Sequence, residues 1–579
     1  MKNKEIAAVF RSIADIMEIL GEDTFRIGSY RKASRSVEDL AQPIEEVAAG
    51  GAKKLQEIPG IGKSTAEKIG QFLATGKVAL HEELLAKVPP KLPELLEVPG
   101  LGPKTVAKLW KEAGVTSRQE LEDAIEERGQ TLTELPGFGA KKVRQIWESL
   151  AFLKSVGQRQ RLGEARALAD GLAAAVRGVK GAAEVIAAGS LRRGKETVGD
   201  IDLLCKADPE EGARIIEAFA QAPGVARVLA KGQTKGSVML DRGVQADLRV
   251  VGVESFGAAL AYFTGSKEHN IRLRELAQKK GLKLNEYGLF HGDKPVAGED
   301  EEGIYKALGL AFVPPELRED RGEVEAAAAS KLPRLLELAD IHGDLHMHTT
   351  ASDGFNSIEE MIDACRARGY QFMAICDHSK SQIQANGLDE KRLAAHAEAI
   401  RKAGKKHKDI LVLAGVEVDI FKDGTLDFEA DVLGELDFVT ASAHSALKLG
   451  REEATKRLIA AIENPRVHCI GHPTGRLINS RPGMEIDIEK VAQAAAANGV
   501  ALEINANYLR LDLRDVHVRA AIGCGAKILI NTDAHRTKEL DMMQYGVLTA
   551  RRGWAEAKDV LNTLSRAEMQ KWLKKGRRA

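Results

Sequence analysis

Two groups of residues in this chain have the types and spacing for chemistry. The first lies mid-chain. Gly189-Ser190 runs into the pair Arg192-Arg193, then Gly199-Asp200-Ile201-Asp202 follows, and Asp247 sits in the strand-like run Val244–Val251. Residues i and i+2 on a strand share a face, so Asp200 and Asp202 point together, a costly placement unless a cation bridges them. Three carboxylates with no nearby histidine suit a hard, oxygen-seeking ion such as Mg²⁺. Gly189 and Ser190 offer a phosphate a backbone donor and a hydroxyl, and Arg193 adds charge. A lone Asp-x-Asp is more often the mark of a solvated edge strand. The Gly-Ser turn, the Arg pair and the third Asp together favour metal and phosphate.

The second group is rich in histidine: eleven of the fourteen stand at or beyond His342, so metal or acid–base chemistry belongs there. The segments are Asp344-Leu-His-Met-His348, Ser352-Asp353, Cys376-Asp-His378, Gly415-Val-Glu417, Ser442-Ala-His444, Gly471-His472-Pro473 and Asn531-Thr-Asp-Ala-His535. His346 and His348 share a strand face, and with a carboxylate they suit Zn²⁺ or Mn²⁺. A single histidine would be an ordinary buried or surface residue. Repeated pairing with acids at successive strand ends points to a metal cluster.

A third pattern suits binding rather than catalysis. Leu55–Lys63, Leu95–Pro103 and Leu132–Ala140 each contain Pro-Gly-apolar-Gly and lead into an amphipathic helix. Gly60 and Gly62, Gly100 and Gly102, and Gly137 and Gly139 permit tight turns with bare backbone. Each following helix starts with free N–H groups that can grip a phosphate oxygen, beside Lys63, Lys104, Lys141 and Lys142. The alternative is a set of helical hairpins that merely pack together. Glu57 stands where a nucleotide P-loop needs a glycine, which excludes that motif.

The elements that must position these groups follow from length and pattern. With 579 residues, three to five domains are expected. Lys plus Arg and Asp plus Glu both number 84, and no third of the chain is basic, so any polyanion site must be a local patch. Five cysteines without CxxC spacing imply neither a disulfide framework nor a zinc ribbon, and a reducing cytoplasm is expected. No apolar run suits a signal peptide or a membrane span. The charged segment after Pro314-Pro315 reads as a connection. Beyond it, short apolar strands alternate with helices, as in a βα barrel whose active face carries the strand ends.

The Pro-Gly-apolar-Gly turns resemble the helix-hairpin-helix motif, which grips DNA backbone. The Gly-Ser…Arg-Arg-Gly…Gly-Asp-x-Asp string resembles the nucleotidyltransferase core of the family X DNA polymerases. By that resemblance Asp200, Asp202 and Asp247 are catalytic and hold two Mg²⁺ or Mn²⁺ ions. Gly189, Ser190 and Arg193 contact a deoxynucleoside triphosphate, and Arg249 stands beside the triad. Tyr262, Phe263 and Gly265, from Tyr262-Phe-Thr-Gly-Ser266, lie beside the sugar, and Leu284–Phe290 fits the thumb. Tyr30–Ala33 and Thr65–Gly70 match the small domain that binds the 5′-phosphate side of a gap. Lys68 falls where some relatives carry a Schiff-base lyase lysine, although an ordinary surface lysine fits as well.

The histidine-rich third resembles the PHP (polymerase and histidinol phosphatase) domain, which implies three divalent ions, Mn²⁺ or Zn²⁺. His346, His348, Glu417 and Asp533 would hold one ion, Glu417, His444 and His472 the second, and Asp353, His378 and His535 the third. The metal amidohydrolases also begin with His-x-His, but the strand lysine that bridges their metals has no candidate here.

The expected fold is therefore multidomain: an α-helical helix-hairpin-helix N-terminal region, an α+β family X palm and thumb, and a C-terminal α/β distorted (β/α)7 barrel. The expected boundaries are 1–88 and 89–155 for two helical domains, 156–262 for the palm, 263–320 for the thumb, 321–340 for a linker and 341–579 for the PHP domain. The resemblance implies gap-filling DNA synthesis with 3′→5′ exonuclease or other 3′-end processing, in a monomer acting on gapped or primer-template DNA. In the alternatives, the PHP domain is a phosphatase, an AP endonuclease, or a structural module that positions the polymerase.

Overall fold

The computed structural model describes residues 2–38, 40, 43–98, 101–133, 138, 139, 142–144, 146, 147, 150, 159–241 and 243–575. The chain forms two compact units, Met1–Gln158 and Arg159–Ala579. Among the described residues no helix is long and apolar enough to cross a membrane.

The first unit is helical. Helix Lys2–Leu20 places Ile6, Phe10, Ile13 and Met17 on one stripe, and all four are fully buried. The Phe10 ring meets Tyr30 of helix Thr24–Glu38 edge-on at 5.9 Å. Helix Lys63–Thr75 starts at Gly62, whose N–H donates to Thr65 Oγ1 (2.9 Å), and helix Pro103–Ala113 starts at Gly102. Gly60 has φ +92°, which favours glycine, and a Cβ there would stand 2.7 Å from the Lys32 side chain.

The second unit opens with a five-stranded palm sheet in the order Glu184–Ala187, Asp200–Lys206, Gln245–Val251, Lys235–Leu240, Val225–Lys231. Helices Leu162–Arg177 and Gly212–Ala220 bury Leu172, Val176, Ile215 and Phe219 in its core. Strands Asp200–Lys206 and Gln245–Val251 run parallel, with Asp202 directly opposite Asp247. Next come helices Phe256–Thr264 and Lys267–Lys279, a three-stranded antiparallel meander and helix Glu301–Ala307. Residues 321–340, expected as a linker, include helix Glu323–Ala328 and are tied in by matched buried charges. Glu323 contacts His269 (2.7 Å), and just before the segment the fully buried Arg318 donates to Glu301 Oε1 (2.6 Å) and Val313 O (2.9 Å).

The last part is a seven-stranded parallel sheet in simple sequence order, from Gly343–Asp344 to Lys527–Asn531. A bridge between Met347 and Ala534 brings its two ends together, so the barrel is nearly closed. Strands buried on both faces read as continuous apolar runs, as Phe372–Ile375 does.

Palm and barrel share a core. Ile478 and Leu511, from barrel loops, pack with Leu162, Val198 and Leu248 of the palm. Gly163 is where the two backbones approach: a Cβ there would fall 2.3 Å from the Tyr508 ring. Around this core runs a buried ion network. Arg552 donates to Arg193 O (2.7 Å), Glu319 Oε1 (3.0 Å) and Asp515 Oδ2 (2.8 Å), and Arg476 pairs with Glu196 (2.8 Å).

Candidate metal and phosphate sites

The palm site is built on two neighbouring strands. Asp200 is exposed at a strand start, Asp202 is half-buried two residues on, and Asp247 stands opposite on the parallel partner. Burial, with the charges of Asp200 and Asp247, pushes the Asp202 carboxyl up to about 7. A carboxylate so disfavoured among like charges is a site that attracts a cation. Ser237 donates to Asp247 Oδ1 and Gln245 Nε2 to its Oδ2 (3.1 Å), which fixes that carboxylate. Gly189 has φ +60°, and a Cβ there would stand 2.5 Å from Asp202 Oδ2, so only a bare backbone fits against the triad. Ser190 follows in the short helix Gly189–Arg192.

The two arginines after Ser190 divide their work. Arg192 forks onto Glu301 at 2.9 and 2.7 Å. Arg193 donates to Glu319 Oε1 (3.0 Å) and Thr264 O (2.5 Å), so its guanidinium is held rather than free. Arg249, two residues beyond Asp247 and on its face, lies 4.3 Å over the Phe263 ring, and Tyr262 packs edge-on against Phe263 at 5.1 Å. Gly265 follows with φ +67°.

The barrel site is tighter. Among the described residues, the groups whose ligand atoms close to within 4.8 Å all lie here: His348, Asp353, His378 and His535; His346, His348 and Asp533; and His378, Glu417 and His444. Asp533 Oδ1 lies 3.0 Å from His348 Nε2 and 3.7 Å from His346 Nε2. Glu417 Oε1 lies 3.0 Å from His472 Nε2 and 3.4 Å from His444 Nε2. Asp353 Oδ2 lies 3.3 Å from His535 Nε2 and 3.5 Å from His378 Nε2. All nine expected residues thus converge on the strand ends.

Their donor atoms suit divalent ions. His346 Nε2, His348 Nε2, His378 Nδ1 and both Glu417 oxygens are buried without a hydrogen-bond partner. Burial alone would lower the histidines, yet Glu417 and Asp353 carry His378 up to about 10, and Glu417 and Asp419 carry His444 up to about 9. His348 goes the other way, to about 4, through burial and its histidine neighbours. A cluster that retains protons against burial is one that draws cations. The opposite ring nitrogens are anchored: His346 Nδ1 contacts Glu503 (2.8 Å), His444 Nδ1 contacts Asp419 (2.5 Å), and His535 Nδ1 contacts Asp533 O (2.8 Å). Such partners orient metal-binding histidines. Asp377 pins the loop that carries Asp353 by accepting from Thr349 N (2.9 Å) and Ser352 Oγ (2.5 Å).

Glu503 and Asp419, which contact His346 and His444, and Asn505, which donates to Asp533 Oδ2 (2.9 Å), are residues of the cluster that the motif reading passes over. Each had a signal. Asp419 follows Glu417 at i+2 on one strand, and Ala501-Leu-Glu-Ile-Asn505 sets an acid and an amide at i, i+2 in a wholly buried strand.

In the helical unit, Gly60, Gly62 and Gly102 border helix starts, with Lys63 and Lys104 exposed in the first turns. Gly139 accepts from Lys142 N (2.7 Å). Gly100, Gly137 and Lys141 lie outside the described residues. Lys68 is half-buried, donates to Ser64 Oγ (2.9 Å) and sits 5.8 Å over the Tyr30 ring.

Comparison with known proteins agrees with this layout. Residues 1–78 match a helix-hairpin-helix domain and 92–151 a SAM-like helix-hairpin-helix tandem. Residues 161–241 match the DNA polymerase beta palm, 259–319 the DNA polymerase beta thumb, and 344–507 the PHP domain, a match that stops short of Asp533 and His535. The chain is 40% identical to a Bacillus subtilis protein named DNA polymerase/3'-5' exonuclease PolX, over 99% of this chain and 100% of the relative. A probable phosphatase of Caldicellulosiruptor bescii is 32% identical over 33% of this chain and 79% of its own length. A probable phosphatase of a Shewanella species is 29% identical over 33% of this chain and 75% of its own.

Proposed function

The chain belongs to the PolX family of DNA polymerase/3'-5' exonucleases, and from that membership we propose that it fills short gaps in DNA during repair and trims 3′ ends at a separate barrel site. The observation that carries this is the pairing of two distinct acidic sites in one chain, one of carboxylates alone and one of carboxylates with six histidines, His472 among them. Gapped or primer-template DNA, deoxynucleoside triphosphates and a monomeric, cytoplasmic protein complete the reading.

In the palm, Asp200, Asp202 and Asp247 would hold two Mg²⁺ or Mn²⁺ ions, and Ser237 and Gln245 keep Asp247 turned toward them. Gly189 and Ser190 offer a phosphate the backbone and hydroxyl donors. Arg193, tied to Glu319 and Thr264 O, braces the turn that presents them. Phe263, clamped by Arg249, and Tyr262 wall the sugar side of the pocket. In the barrel the nine ligands would hold three ions, Mn²⁺ or Zn²⁺, with Glu503 and Asp419 fixing the histidine rings. When bound, divalent ions supply Lewis-acid charge to phosphate oxygens and make water a better nucleophile. The helix starts at Gly62 and Gly102, with Lys63 and Lys104, would grip DNA backbone without reading sequence.

The test uses the full chain with Mn²⁺ and a 5′-labelled primer in a gapped duplex. Extension should appear with deoxynucleoside triphosphates, and stepwise shortening with release of nucleoside monophosphates without them. The phosphatase relatives favour a second reading for the barrel. Release of inorganic phosphate from a 3′-phosphorylated primer, with no shortening, would establish that reading and overturn the exonuclease.

A further inference from the structure

Asp533 shows two different sides. Its Oδ1 faces His346 and His348, while its Oδ2 accepts from Asn505 Nδ2 (2.9 Å) and lies 3.8 Å from Arg510 Nε. That last separation is too long for a hydrogen bond. Arg510 Nη1 is enclosed, with no hydrogen-bond partner. An enclosed guanidinium N–H without an acceptor is costly, and the ion pair that Arg510 makes with Asp533 through Nε leaves Nη1 in that state.

The loop around Arg510 is built to keep it there. After strand Ala501–Asn505, Asn507 O accepts from Arg510 N (2.8 Å) and Leu511 N (2.9 Å), and Asn507 Oδ1 accepts from Leu509 N (3.1 Å). Arg476 donates to Arg510 O (2.8 Å) and to Leu511 O, while its other end holds Glu196 of the palm. Leu511 is buried in the palm core and Ile478 N donates to Leu509 O (2.7 Å). A surface arginine needs no such fastening. A planar fork of donors beside a metal-ligand carboxylate is the arrangement that recognises phosphate oxygens bidentately.

We propose that Arg510 binds the phosphate of the nucleotide at the barrel site, as a substrate-contacting residue additional to the nine metal ligands. The ligand class is a phosphodiester at a DNA 3′ end and, after cleavage, a nucleoside 5′-monophosphate. The inference rests on the exonuclease reading. Failure of that reading shows as a wild-type chain that releases no nucleotide, whereas failure of this inference leaves the wild type active.

The test measures thymidine 5′-monophosphate binding to the full, Mn²⁺-loaded chain by calorimetry. All variants carry Asp200→Ala with Asp202→Ala, which removes the palm's own nucleotide site, and bound manganese is counted in each. Arg510→Ala should weaken binding about 10- to 100-fold at unchanged manganese, and Arg510→Lys should recover part of it. Unchanged affinity in the alanine variant overturns the proposal. Loss of manganese together with the nucleotide also overturns it, by assigning Arg510 to the support of Asp533. Should the alanine variant fail to fold, the lysine variant carries the test: several-fold weaker binding supports a bidentate contact, and unchanged binding overturns it.

Discussion

Arg552→Met is the most informative single perturbation of the junction between palm and barrel. The Arg552 side chain is 4% exposed, lies 3.0 Å from Glu319 and 2.8 Å from Asp515, and donates to the carbonyl of Arg193. Methionine fills most of the volume but leaves two buried carboxylates short of a cation, a loss of about 3–5 kcal/mol. Arg193, Lys195 and Arg321 remain beside those acids, which places the expectation at the lower end. Arg159–Ala579 is one compact unit. At about 2.1 cal/mol/K per residue, some 420 residues unfold with roughly 0.9 kcal/mol/K, so Tm should fall by about 3–6 °C. Scanning calorimetry of the full chain reads this directly, with Lys456→Met as control, since Lys456 and Glu452 form an exposed pair that solvent screens and that should contribute little. The variant should also raise KM for deoxynucleoside triphosphate, because Arg552 holds the backbone of Arg193. A Tm change indistinguishable from that of the control would refute the reasoning, showing that the remaining cations already balance Glu319 and Asp515.

Two further outcomes are expected. His517 is held down to about 3 by burial and by Arg514 and Arg476. Below its ordinary 6.5 the unfolded chain takes a proton that the folded chain refuses, so stability should fall as pH drops from 6.5 toward 3. His517→Gln should flatten the Tm-versus-pH slope between pH 6.5 and 4, and an unaltered slope would count against this assignment. Dialysis against EDTA should lower Tm and added Mn²⁺ should restore it, since His346 Nε2, His348 Nε2 and both Glu417 carboxylate oxygens are buried without hydrogen-bond partners. At 100 times the dissociation constant the gain is about 2.7 kcal/mol, and a Tm insensitive to metal would contradict the cluster.

What the sequence made legible divides along a physical line. Metal chemistry restricts residue type, so Asp200, Asp202 and the histidine motifs stand out wherever they occur. Strand periodicity then predicts which of them share a face. Supporting contacts carry no such restriction. Glu503 meets His346 across 157 positions, and Arg552 meets Arg193 across 359. Neither pairing has a local pattern, because any acid or arginine on the right surface would serve. The packing of segment 321–340 lacks a local signal for a related reason. Its charges read as those of a connection, and the partners that bury them, His269 and Asp515, lie far away in sequence.

The central claim is that one chain holds two sites with separable chemistry, and paired double variants test it most directly. Primer extension and 3′ shortening are measured on the same labelled gapped substrate, with folding checked for each protein. Asp200→Ala with Asp202→Ala should abolish extension and spare shortening, and His346→Ala with His348→Ala should do the reverse. If either folded variant loses both activities, the two-site account is contradicted.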